Sequence, residues 1–217
     1  MNQEIVNPQP LKQTVKYTAV EKGNKWTVKD IILTVVLSAV AIAVMTVLNM
    51  ATMGNYVINL IFTMGLVFFF MSPFFVFAAI KVNKSFVMLV FFALYIIFNL
   101  FSFWYSMIPL LATILLIELF MRKKDSYKTR WKLVTAYGIV GAGAVSTSYV
   151  IFLVWGTAQE TMLAQGMTQE YLDTYHAWYT NPGIALGVYA FTVFCCVTGS
   201  FISYNVLKKH FEKTGIL

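Results

Sequence analysis

Long apolar runs, separated by short turns that are either polar or basic, dominate this chain. About 20 predominantly apolar residues are enough for a helix to cross a hydrocarbon layer of about 30 Å, so the runs predict membrane-spanning helices. The first covers about 30–49. Ahead of it Trp26 can sit at the interface, Thr27 can cap the helix and Asp30 fits its first turn. After an uncharged turn around Gly54, a second span occupies about 56–80, with Ser72-Pro73 as a kink or interruption.

The next apolar stretch, 86–121, would extend about 54 Å as one helix, nearly twice the hydrocarbon thickness. It must therefore turn back. The turn is expected at 101–106, with Pro109 in the first turn of the returning helix, giving short spans at about 86–102 and 106–121. A fifth span at about 133–155 is rich in small residues, which suit close helix packing and leave the lining of a ligand cavity open as a second role. In the connection 156–182, Thr168 can cap a short helix carrying Tyr171, Tyr175, Trp178 and Tyr179 on one aromatic stripe. Asn181-Pro182 then reads as an N-cap followed by Pro at the first helical position, opening a last span at about 183–206.

The expected fold is thus all-α: a polytopic bundle of six transmembrane helices in one domain, 26–207, between tails at 1–25 and 208–217. The polar, basic residues 1–25 read as a cytoplasmic tail ahead of a retained first helix rather than as a cleavable signal peptide. Composition agrees, with 59% hydrophobic and 12% charged residues where a soluble domain carries about one-quarter charged.

The net charge of +7 changes the picture only through its placement. Five Lys and Arg lie in 1–29, two in 81–84, six in 122–132 and three in 208–213, which accounts for all 16; the turns at 50–55, 101–106 and 156–182 have none. That alternation puts every basic cluster, and both termini, on the cytoplasmic side, and it explains the charge without a nucleic-acid partner.

Polar groups kept in lipid need partners, so those near the outer ends of the spans are the candidate site. Asn49, Asn55, Asn59, Asn99, Trp104, Tyr105, Trp155, Gln159, Glu160, His176, Trp178, Tyr179 and Asn181 can together furnish aromatic walls and amide hydrogen bonds for a small planar or polar solute. Taken singly, each also fits an interfacial belt or a helix cap. Glu118, deep in an apolar run but four residues before Arg122, is expected to pair with a Lys or Arg of an adjacent cytoplasmic loop. Ala39 and Ala43 form a small-residue pattern suited to close contact with another helix. Cys195 and Cys196 are neighbours on a helix, which suits neither a disulfide nor a metal clip; they read as packing residues, and no metal or cofactor is expected. Phosphate-loop, His-Glu-x-x-His and Gly-x-Ser-x-Gly motifs are absent, so a non-catalytic role is expected.

The passages WTVKDIILTVVLSA (26–39), KVNK (81–84), IELFMRKKDSYKT (117–129), MTQEYLDTY (167–175) and LKKHFEKTGIL (207–217) resemble the substrate-binding membrane subunits, or S components, of energy-coupling factor (ECF) importers, in the MptD or Trep_Strep-like group. The resemblance implies six spans and a vitamin-like micronutrient held near the outer face by the last three helices and their loops. It implies docking through the helix-1 pattern, here Ala39 and Ala43, onto an EcfT-like scaffold served by two cytoplasmic ATPases in a bacterial plasma membrane. A stand-alone secondary transporter and a non-catalytic membrane scaffold or assembly protein are the alternatives.

Overall fold

A computed structural model describes residues 25–123 and 125–213, and among them there are helices and turns but no strand. The tail at 1–24 and the last residues, 214–217, lie outside the described residues. Eight helices follow in order: α1 (Val28–Thr52), α2 (Thr63–Val82), α3 (Val87–Phe103), α4 (Ile108–Met121), α5 (Arg130–Val150), α6 (Trp155–Ala164), α7 (Gln169–Tyr179) and α8 (Pro182–Lys213).

Several ends form for the local reasons the residue types suggest. Thr27 and Asp30 make a reciprocal capping box at α1, and Thr168 accepts from the Tyr171 amide at α7. Asn181 accepts from the Gly183 and Ile184 amides at the start of α8. Trp26 donates to the Ser85 carbonyl, and Lys84 pairs with Asp30, so the start of α1 is tied to the turn between α2 and α3.

Among the described residues, five segments are long and apolar enough to cross a bilayer: Val28–Thr52, Ile58–Val82, Trp104–Met121, Arg130–Ala164 and Pro182–His210. The remaining expected span, about 86–102, is a helix of 17 residues, about 25 Å long and so short of the hydrocarbon thickness. The fifth expected span, about 133–155, lies in Arg130–Ala164 and runs on past 155, because a 3-10 turn at Ile151–Val154 leads directly into α6 rather than into a loop.

α2 passes through Pro73 without breaking. Proline cannot donate to the carbonyl four residues back, and Ser72 Oγ donates to that Phe69 carbonyl instead, at 2.7 Å, while also meeting Ser203 Oγ of α8 at 3.0 Å. Gly199 sits against this spot. A Cβ there would lie 3.0 Å from the Phe69 carbonyl oxygen and 3.1 Å from its Cα, backbone atoms that cannot rotate away. Gly199→Val is therefore expected to cost about 1–3 kcal/mol by forcing α2 and α8 apart, read as a lower melting temperature in mild detergent.

The small residues of α5 divide between neighbours. Gly138 and Gly141 face Val197 and Cys196 of α8, and Gly143 faces Thr113 of α4. Cys195 and Cys196 are buried free thiols that pack as small apolar side chains. One core cluster fills the bundle and is centred on Phe68, Phe75, Phe91, Phe92 and Tyr137, with Tyr137 stacked on Phe75 at 4.9 Å and bonded to the Phe68 carbonyl. A second, smaller cluster joins Leu60, Ile151, Ala158, Met162, Leu172, Tyr175 and Tyr179 under α6 and α7. Between the two lies a cavity.

Candidate functional site

The cavity has a volume of about 350 Å³ and lies at the end of the bundle opposite the basic segment 122–132. Its base is apolar: Val67, Phe68 and Met71 of α2 with Phe92 of α3. Its sides carry Asn49, Asn59, Thr63, Tyr95, Asn99, Ser106, Thr147 and Ser148, and α7 covers it with Tyr171, Tyr175 and Tyr179. No charged side chain is among the described lining residues. The volume falls in the range of small-molecule sites, and a mostly apolar wall with a few convergent polar groups is how such sites orient a ligand.

The three tyrosines of α7 stand four residues apart, so they share one face of the helix. Each donates to the bundle below: Tyr171 to Asn59 Oδ1 at 3.0 Å, Tyr175 to the Ser148 carbonyl at 3.1 Å and Tyr179 to the Leu60 carbonyl at 2.8 Å. Leu60 belongs to a π-helical turn, Ile58–Phe62, whose wider winding loosens the regular bonding along that strip of backbone. Burial pushes the Tyr171 phenol up to about 12, with neighbouring Tyr56 adding to the effect, and burial likewise raises Tyr175 and Tyr179. These hydroxyls therefore stay protonated and act as neutral donors over the cavity.

The amides are poised differently. Asn49 and Asn99 each donate a side-chain N–H to the carbonyl four residues back, Met45 and Tyr95 respectively, which leaves the side-chain oxygen to meet a ligand. Asn59 is engaged on both atoms, donating to Thr52 Oγ1 at 3.1 Å and accepting from Tyr171. It couples the α1–α2 turn to the cover.

Of the residues proposed from sequence, the fold brings Asn49, Asn59, Asn99 and Tyr179 to the cavity wall. The others lie around it. Asn55 caps Ile58, Gln159 bonds Gln169, and Asn181 caps α8. Trp155 stacks on Phe152, and His176 meets Trp155 at a tilt and Phe152 edge to face, with Trp178 packed against the same cluster. Trp104, 64% exposed, and Tyr105 meet edge to face at the turn before α4. α8 contributes none of the described lining residues; they come from α1, α2 with the π-helical turn before it, α3 and α5, from the turn before α4, and from the connection between α5 and α8.

Thr147 also lines the cavity without having stood out in the sequence, and so do Ser148 of the small-residue span and Tyr171 and Tyr175 of the aromatic stripe, which were outside the candidate set. The signal was the four-residue spacing of 171, 175 and 179, which carries the three phenols along one face of the helix. Six methionines, Met45, Met64, Met71, Met107, Met162 and Met167, also line the cavity and carry no mark in an apolar sequence.

Ala39 and Ala43 lie on the side of α1 turned away from the bundle, on an exposed face with Val36, Val40 and Val47. Glu118 is 1% exposed, and its partners differ from the expected loop cation. Its carboxylate accepts from the Phe86 amide at 2.7 Å, the Met88 amide at 2.9 Å and the Tyr127 hydroxyl at 2.7 Å. It thereby caps α3 from another helix, where Phe86, held at a positive φ of 69°, supplies no side-chain cap. Burial, with the Glu118 charge adding, raises the Tyr127 phenol well above its usual range, so Tyr127 remains a donor.

The family described as a hypothetical bacterial integral membrane protein, Trep_Strep, matches residues 28–213. No curated protein and no solved structure matches the chain.

Proposed function

Because this chain belongs to the Trep_Strep family of bacterial integral membrane proteins, we propose that it is a membrane subunit that binds a small solute in the covered cavity and delivers it inward. The carrying observation is a cavity of about 350 Å³ between two packed clusters, walled by amides and hydroxyls and closed by three phenols of a single short helix. A charged solute would be costly to bury where the wall offers no counter-charge. An uncharged, vitamin-like micronutrient with a flat apolar body and hydrogen-bonding edges fits the wall best.

In this reading the chain spans the membrane six times with both termini in the cytoplasm, and α3 is the short sixth span. The alternation of basic and non-basic turns supports that orientation. The chain acts as the S component of an ECF importer, without catalysis of its own. Its exposed α1 face at Ala39 and Ala43 docks on a scaffold subunit whose two ATPases supply the energy. Opening of α7 admits the solute and closing excludes water.

Two measurements test this. Single cysteines placed in 156–182 should react with an impermeant reagent outside intact cells, while those in 122–132 should not; the reverse pattern overturns the orientation and the outward cavity with it. The purified chain should carry one small molecule in native mass spectrometry, and uptake of that molecule should require scaffold and ATPases. Uptake driven by an ion gradient without ATPases would make the chain a stand-alone secondary transporter. A chain that never holds a small molecule would fit a scaffold or assembly protein.

A further inference from the structure

At the basic end of the bundle a second hollow, of about 450 Å³, opens sideways between α4 and α5. Its walls are Phe120 and Met121 at the end of α4, and Ala136 and Ile139 further along α5. At its mouth stand Trp131 and Lys132. Apart from Thr135 the rest of the wall is apolar, and it faces outward: Phe120 is 80% exposed and Ile139 is 49% exposed. An apolar trough on the perimeter of a membrane bundle meets acyl chains, so the question is what selects the headgroup.

Two observations answer it. Trp131 is held in place: the Arg130 guanidinium lies 5.0 Å from its ring and 5.0 Å from the Phe201 ring, and Arg130 also reaches Asn205 at 3.4 Å. An indole fixed in this way forms a rigid wall at the level where aromatic side chains favour the membrane–water boundary. The charge at the mouth is also one-sided. Lys132 lines the trough, and the described acid of 122–132, Asp125, is already engaged by Asn83, while Arg122 lies over the Phe86 ring at 5.9 Å. Basic hollows between membrane helices attract anionic lipid headgroups.

We propose that this trough is a binding site for an anionic phospholipid, one acyl chain lying along Phe120, Ala136 and Ile139 and the phosphate meeting Lys132. It stands apart from the solute cavity, at the opposite end of the bundle, and needs no solute to form.

The test uses the full chain in mild detergent, exposed to equal amounts of phosphatidylglycerol and phosphatidylethanolamine and examined by native mass spectrometry. Phosphatidylglycerol should be retained in preference, and Lys132→Glu should reduce that preference roughly ten-fold or more, given about five-fold for each cation at an anionic surface. Lys132→Arg should preserve it. Thr135→Trp, at an exposed lining position, should fill the trough and release both lipids without changing the melting temperature. Equal retention of the two lipids, or an unchanged preference in Lys132→Glu, overturns the proposal. So does retention by Thr135→Trp, or displacement of the lipid by inorganic phosphate.

Discussion

Replacing Glu118 with alanine is expected to lower the unfolding free energy by roughly 3–5 kcal/mol, because it strands donors that have no water to turn to. The Phe86 and Met88 amides and the Tyr127 hydroxyl all converge on this one carboxylate, and Glu118 is 1% exposed. For a chain of this size the melting temperature should fall by roughly 10 °C. Glu118→Gln should lose about half as much, since the amide oxygen still accepts while its NH₂ group meets a donor. Tyr127→Phe removes one bond and should cost about 1 kcal/mol. The Glu118 and Tyr127 losses should not add in the double variant, because they share an interaction. A carboxylate held by an exposed loop cation behaves differently: its removal would cost under about 1 kcal/mol and the loss would shrink with salt. A small, salt-sensitive effect would thus sink the capping role.

The second large effect concerns the cavity. Ser148→Trp should weaken solute binding at least a hundred-fold, about 2.7 kcal/mol, by placing an indole in the space a ligand would fill. Ser148 lines the cavity, and the bond it offers α7 comes from its backbone carbonyl and survives the substitution. The cover should therefore still close. Asn99→Ala is the graded comparison: it removes one polar contact and should cost roughly ten-fold, with melting behaviour little changed. Titration of the purified chain with its released small molecule measures both. If Ser148→Trp bound the solute as well as the unaltered chain does, the site would lie elsewhere and Asn99 would have no place in it.

The parts of this protein that could be read directly are those governed by neighbours in sequence. Apolar runs longer than a bilayer requires are a local property, and the segments at 28–52, 58–82, 104–121, 130–164 and 182–210 follow from them. The caps at Thr27, Thr168 and Asn181 were equally legible, because a cap bonds amides two or three residues away. Local reading failed where the partner is remote. Pro73 reads locally as a kink or an interruption, and only the fold shows α2 running on past it, with Ser203 and Gly199 of α8 packed at that spot. Glu118 looked like half of a surface ion pair, because nothing near it in sequence announces that the start of α3 will arrive uncapped beside it.

The candidate site divides along the same line. Sequence alone placed polar and aromatic residues at one end of the bundle, because lipid tolerates them only near helix ends or with partners. It could not say which of them converge. Asn59, Asn99 and Tyr179 meet across the cavity while Asn55, Gln159 and Asn181 spend their hydrogen bonds on local caps and turns. That choice was made by helix packing: the rotation of α7 turns Tyr171, Tyr175 and Tyr179 downward together, and the approach of α1, α2, α3 and α5 supplies what they close over. Spans and caps are set by contacts a few residues apart, whereas a cavity exists only between surfaces distant in the chain, and only the assembled bundle defines it.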